Sequence, residues 1–196
     1  MARRTSPPFR ADHVGSLLRP QRLLMARNDF AAGTIEWTPA ALHIDGRIHL
    51  DYTIFGDDFA FVRDHVTTAV AKQTIPSPNM VHYRGGPASI DQDVYPDIEE
   101  FWSDLAATYA DQVRRLGELG CRYLQFDDTS LAYLNDPAQR AEIAERGEDA
   151  EHMHLRYIKQ INASVRNRPA GMAITTHLCR GNFRSSWAAC PRPPAT

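Results

Sequence analysis

No stretch of this sequence is apolar for long enough to span a bilayer, and its first residues, MARRTSPPFRADHVGSLL, lack the hydrophobic core of a secretory signal. A cytoplasmic location is therefore expected. Cysteine is scarce: Cys121, Cys179 and Cys190 are odd in number and follow no framework spacing, so disulfide stapling is not expected. A cysteine with a function here is a metal ligand or a nucleophile. Neither charge sign dominates, since 22 Lys and Arg are scattered against 24 Asp and Glu. The absence of a basic stripe argues against nucleic acid and anionic membranes and leaves a small-molecule partner. No internal period is present, and Gly85-Gly86 stands without the rest of a dinucleotide fingerprint and reads as a turn.

What is present is ordinary globular composition, 196 residues with 43% apolar, enough for one core. Ile98, Phe101, Trp102, Leu105, Tyr109, Val113 and Leu116 recur at steps of three and four, predicting an amphipathic helix over 97–119. Asp97 with Glu100 resembles a capping box, and Gly120 sits where a left-handed cap belongs. The run 121–126 then reads as a buried strand ending in Asp127-Asp128. Further on, 137–145 predicts a short helix. A longer one is expected over 148–166, with Leu155, Ile158, Ile161 and Val165 inward. After a break at Arg168-Pro169-Ala170-Gly171, residues 172–178 form another β-like run into His177-Leu178-Cys179. Upstream, 57–69 reads as a helix with Phe61, Val62, His65 and Val66 as its apolar positions. It leads into a strand at 72–75 that Pro76-Ser77-Pro78 stops. Residues 9–16 make a further strand candidate, followed by a helix over 20–32 ending at Gly33. Three helix-then-strand units imply parallel strands and an α/β fold. Periodicity alone does not choose between a doubly wound sheet and a (β/α)8 barrel.

His177 and Cys179 lie two apart at a strand end, so their side chains share a face and can reach one ion. Imidazole and thiolate suit zinc, although the spacing taken alone is a weak signal and reads first as a buried structural pair. The neighbours are more specific. Thr175-Thr176-His177-Leu178-Cys179-Arg180-Gly181-Asn182-Phe183 resembles the zinc-ligand strand of cobalamin-independent methionine synthases and their shorter single-domain relatives. Tyr123-Leu124-Gln125-Phe126-Asp127-Asp128 is similar to that family's Gln-x-Asp-Glu/Asp strand end, and Asp12-His13-Val14-Gly15-Ser16 to its His-x-Gly-Ser turn. The three stand in family order.

The resemblance implies a partial TIM-type barrel over 1–187 that moves a methyl group from 5-methyltetrahydrofolate (polyglutamate) to homocysteine, with Zn2+ and without cobalamin. In it His177 and Cys179 hold zinc, which deprotonates the bound thiol. Asp127 binds the substrate ammonium group, and Val14, Gly15 and Ser16 contact its amino-acid end. Asp127 also reads as a helix N-cap, and Ser16 as an ordinary turn residue. His82 and Tyr83 are the candidates for an aromatic stacked on the pterin. Cys121 is expected in the core, and His152 and His154 on the surface.

The pattern also departs from the family. The acidic stretch expected after the second strand is missing between Gly33 and Asp45, which reads as an internal deletion. The family's remaining ligands, a glutamate and a cysteine, belong to strands later than the one holding His177. Residues 188–196 read as a degenerate tail, with Cys190 a poor replacement ligand. An open half-barrel exposes strand edges, so self-association or a completing polypeptide is expected. Two alternatives stand beside methionine synthesis: a non-catalytic remnant, and a relative using another thiol acceptor.

Overall fold

The helix specified by residues 97–120 organises what surrounds it. A computed structural model describes residues 10–11, 25, 29, 32–33 and 42–179. In chain order its elements are β1 (Arg10–Ala11), α1 (Gly56–His65), β2 (Val70–Ala71), β3 (Gln73–Pro76), α2 (Asn79–Tyr83), a 3-10 turn (Gly86–Ser89), α3 (Ile98–Glu118), β4 (Tyr123–Asp128), α4 (Ser130–Tyr133), α5 (Pro137–Glu145), α6 (Met153–Ser164) and β5 (Ala173–Leu178). Strands β3, β4 and β5 are neighbours in sequence order and all parallel, while β1 pairs in parallel with β2. Helices intervene between the three sheet strands, so the architecture is α/β.

Asp97 caps α3 by accepting the Glu99 N–H at 2.9 Å. The Glu100 carboxylate pairs with Arg47 instead of turning back to the cap, so only half of the expected capping box forms. At the other end Gly120 takes φ 95°, the left-handed conformation that terminates helices. One face of α3 packs on the sheet, where Val113 and Leu116 join Phe59, Ile75, Cys121, Leu124, Phe126 and Met172. Its N-terminal half contributes Phe101, Trp102 and Leu105 to a second cluster with Tyr95 and Tyr157.

Three elements differ from expectation, each for a local reason. Helix α6 starts at Met153 because Asp149 accepts the N–H groups of Glu151 and His152, building a turn where helix was expected. Its inward side chains are Met153, Tyr157, Gln160 and Ser164, whereas Leu155 and Ile158 are exposed. The largest ring, Tyr157, sets the face. Helix α1 stops at His65, where Val66 turns extended. Phe59 takes the buried position, and Phe61 stacks outside on the His65 ring at 4.1 Å. Strand β4 begins two residues later than expected and takes in both aspartates.

Residues 25 and 29 are helical and Gly33 has φ 72°, as a helix ending there requires. Of the first expected strand only β1 is described. Val14, Gly15 and Ser16, the tail at 188–196 and Cys190 lie outside the described residues.

Candidate functional site

Alternation along β4 separates its two terminal aspartates. Leu124, Phe126 and Asp128 point into the helix-covered core, so Tyr123, Gln125 and Asp127 point the other way. Parallel register puts Thr74, Gln125 and Thr175 on one rung of that second face, and Pro76, Asp127 and His177 on the next. Cys179 lies just past β5 and continues the ladder, its N–H donating to the Asp128 carbonyl at 3.1 Å. The C-terminal rim of this face therefore carries Asp127, His177 and Cys179 together. His177 Nε2 stands 3.8 Å from Asp127 Oδ1, and both side chains are half exposed. That is longer than a hydrogen bond, an open pairing at the exposed rim of the sheet.

The reading of Asp127 as a helix cap is corrected by its neighbour. Asp128 Oδ1 accepts from the Leu131 N–H at 3.0 Å and from Ser130 Oγ at 2.7 Å, in the first turn of α4. Its Oδ2 accepts from Asn79 Nδ2 at 3.0 Å. Asp127 is left with its carboxylate outward, beside His177, while its backbone C=O accepts from the Ser77 N–H at 3.0 Å. Asn79 and Ser130 were not singled out in the sequence. The alternation in Tyr123-Leu124-Gln125-Phe126-Asp127-Asp128 was the available signal, since it buries the second aspartate, which must then find donors.

The two candidate stacking aromatics, His82 and Tyr83, are both buried. His82 is buried, with Nδ1 3.2 Å from the Tyr157 hydroxyl, Nε2 3.2 Å from Glu148 Oε1, and its ring 4.7 Å from that of Trp102. Tyr83 is buried too; it donates to Gln139 and packs on Tyr133. His152 and His154 are exposed, as expected.

Cys121 is a core residue, fully buried, its thiol directed at the Tyr123 carbonyl at 3.4 Å. Burial pushes its pKa up, whereas Cys179 is partly exposed. Because the thiolate is the reacting form, iodoacetamide at pH 8 is expected to alkylate Cys121 about tenfold or more slowly than Cys179 in native protein. Peptide mass spectrometry reads both rates, and urea should bring them together. Similar rates without urea would contradict the burial.

Among the described residues no helix is long and apolar enough to cross a membrane. No protein-family model matches the chain. YxjH of Bacillus subtilis (strain 168), an uncharacterized protein, is 41% identical over 132 residues, covering 67% of this chain and 34% of that protein. YxjG of the same organism, also uncharacterized, is 29% identical over 250 residues, covering 95% of this chain and 65% of that one. The chain thus spans about a third and about two thirds of these relatives. The YxjG alignment has more positions than this chain has residues, so that protein carries segments with no counterpart here. A crystal structure of a candidate vitamin-B12-independent methionine synthase from Listeria monocytogenes matches with a TM-score of 0.63 at 32% identity, covering 92% of this chain and 68% of that one.

Proposed function

This chain belongs to the same family as the Listeria monocytogenes candidate vitamin-B12-independent methionine synthase, and on that premise we propose that it carries part of an S-methyltransferase barrel. In this reading the parallel sheet is an arc of a (β/α)8 barrel, and the rim bearing Asp127, His177 and Cys179 faces the substrates. The reaction is transfer of a methyl group from 5-methyltetrahydrofolate to the sulfur of homocysteine, giving methionine. Asp127 takes the ammonium group of the acceptor, a task suited to an outward carboxylate with no helix to cap. Val14, Gly15 and Ser16 hold its amino-acid end. The register that sets Asp127 beside His177, with Cys179 two residues on, is the observation that most supports this reading.

His177 and Cys179 are two of the ligands of a zinc ion. A catalytic zinc takes three protein ligands. Among the described residues, however, no group of three or more His, Cys, Asp or Glu could hold a metal. The described donors fall one short, so a further ligand comes from outside these residues or from a completing polypeptide. Strand β5 suits such a neighbour: among the described residues it is an edge strand of its sheet, it carries neither Lys nor Pro, and all its residues but Ile174 are exposed. The short donor set favours a second reading, a non-catalytic remnant of the family.

Purified protein is expected to hold about one zinc per chain, to lose it on Cys179→Ser, and to demethylate methyltetrahydrofolate when homocysteine is present. Elemental analysis and product chromatography read these outcomes. Metal-free protein inert toward a panel of thiols would leave the remnant reading, and turnover of another thiol alone would change the acceptor.

A further inference from the structure

Asp128 touches no substrate in the reading above, yet it is the one carboxylate among the described residues that is fully buried. Burying a carboxylate costs several kcal/mol unless its lone pairs are filled. Here neutral donors from two separate segments fill them: Asn79 Nδ2 at the start of α2, and Ser130 Oγ with the Leu131 N–H in α4. The main chain adds two links at the same place. The Asp128 carbonyl accepts from the Cys179 N–H and the Asp127 carbonyl from the Ser77 N–H. The ends of β3, β4 and β5 and the start of α4 therefore meet within two residues.

A cap for α4 needs only the bond to Leu131. The bond to Asn79 reaches 49 residues back along the chain and caps nothing. Asn79 is itself fully buried, and its Oδ1 finds no partner among the described residues, so its bond to Asp128 is what orients its amide. We propose that Asp128 is a positioning residue, whose carboxylate clamps the turn after β3 and the start of α4 against the strand ends. Through them it fixes the spacing of Asp127, His177 and Cys179. The inference rests on the methyl-transfer reading only in taking that rim as the reactive site.

The test compares amide hydrogen exchange at Ser77, Leu131 and Cys179 with exchange at Val113 and Leu116 of α3, alongside the alkylation rate of Cys179. Asp128→Ala is expected to speed exchange at Ser77 and Cys179 about tenfold, as loss of hydrogen bonds to a charged group implies, and to speed alkylation similarly. The α3 amides should hold their native rates. If Asp128→Ala does not fold, Ser130→Ala and Asn79→Ala each remove one donor and should move the same two amides by a smaller factor. The exchanged pair Asn79→Asp with Asp128→Asn restores donor and acceptor in the opposite sense and should recover rates to within about threefold. Acceleration at Leu131 alone would reduce Asp128 to a cap and overturn the proposal, as would equal acceleration at Val113 and Leu116. None of these measurements needs methyl donor, thiol or metal. Wild-type protein inert toward every thiol, with the exchange coupling intact, would therefore sink the methyl-transfer reading and leave the clamp.

Discussion

Glu148→Ala is expected to lower the unfolding free energy by about 2–4 kcal/mol, read as a shift in urea midpoint at unchanged slope. The His82 side chain is 2% exposed and that of Glu148 10%, with Nε2 and Oε1 3.2 Å apart. The other ring nitrogen meets the Tyr157 hydroxyl, and the Trp102 ring packs 4.7 Å from the imidazole, so truncating Glu148 removes the protein partner of Nε2. A buried imidazole N–H left unpaired bears its full desolvation cost, and that sets the size of the effect. Glu148→Gln keeps an acceptor at the same place and should lose less than half as much. Equal losses for the two variants would mean that packing, not the hydrogen bond, is what Glu148 supplies.

Phe126→Ala is expected to cost about 3–5 kcal/mol, the range for truncating a large core side chain in a structure that collapses only partly around the gap. Phe126 is fully buried at the centre of the sheet-facing cluster, with the Tyr109 ring edge-on at 6.1 Å. Because domains hold only about 5–15 kcal/mol in all, this variant should stand near the limit of folding. Phe61→Ala gives the contrast. That ring is 63% exposed, and its loss should change stability by no more than about 0.5 kcal/mol. Denaturant titration of the two variants separates them, and comparable losses would contradict the assignment of Phe126 to the core.

Helix α3 was legible in the sequence almost to the residue, because an apolar stripe at three and four, an aspartate cap and a terminal glycine all report on local geometry. Helix α5, from Pro137 to Glu145, was legible for the same reason. The inward face of α6 was not. Leu155 and Ile158 fit an apolar stripe as well as Met153 and Tyr157 do, and the choice is made by His82 and Trp102, which come from distant segments. The rim followed a similar division. His177 and Cys179 were marked by their spacing and neighbours, whereas the work of Asp128 depends on Asn79, and no local rule ties residue 79 to residue 128.

The division of labour between Asp127 and Asp128 also constrains how this segment can change over evolutionary time. A strand has two faces and a period of two, so inserting or deleting one residue between Gly120 and Asp127 would exchange them along every rung beyond the change. Phe126 would go to the polar face, Gln125 and Asp127 would enter the apolar cluster, and the partners of Asp128 would face the wrong side chain. Point substitutions can be tried at β4 one at a time, but its length cannot drift. Gains and losses of chain are therefore expected in the connections around β4 rather than within it, leaving it as a ruler against which the rest is realigned.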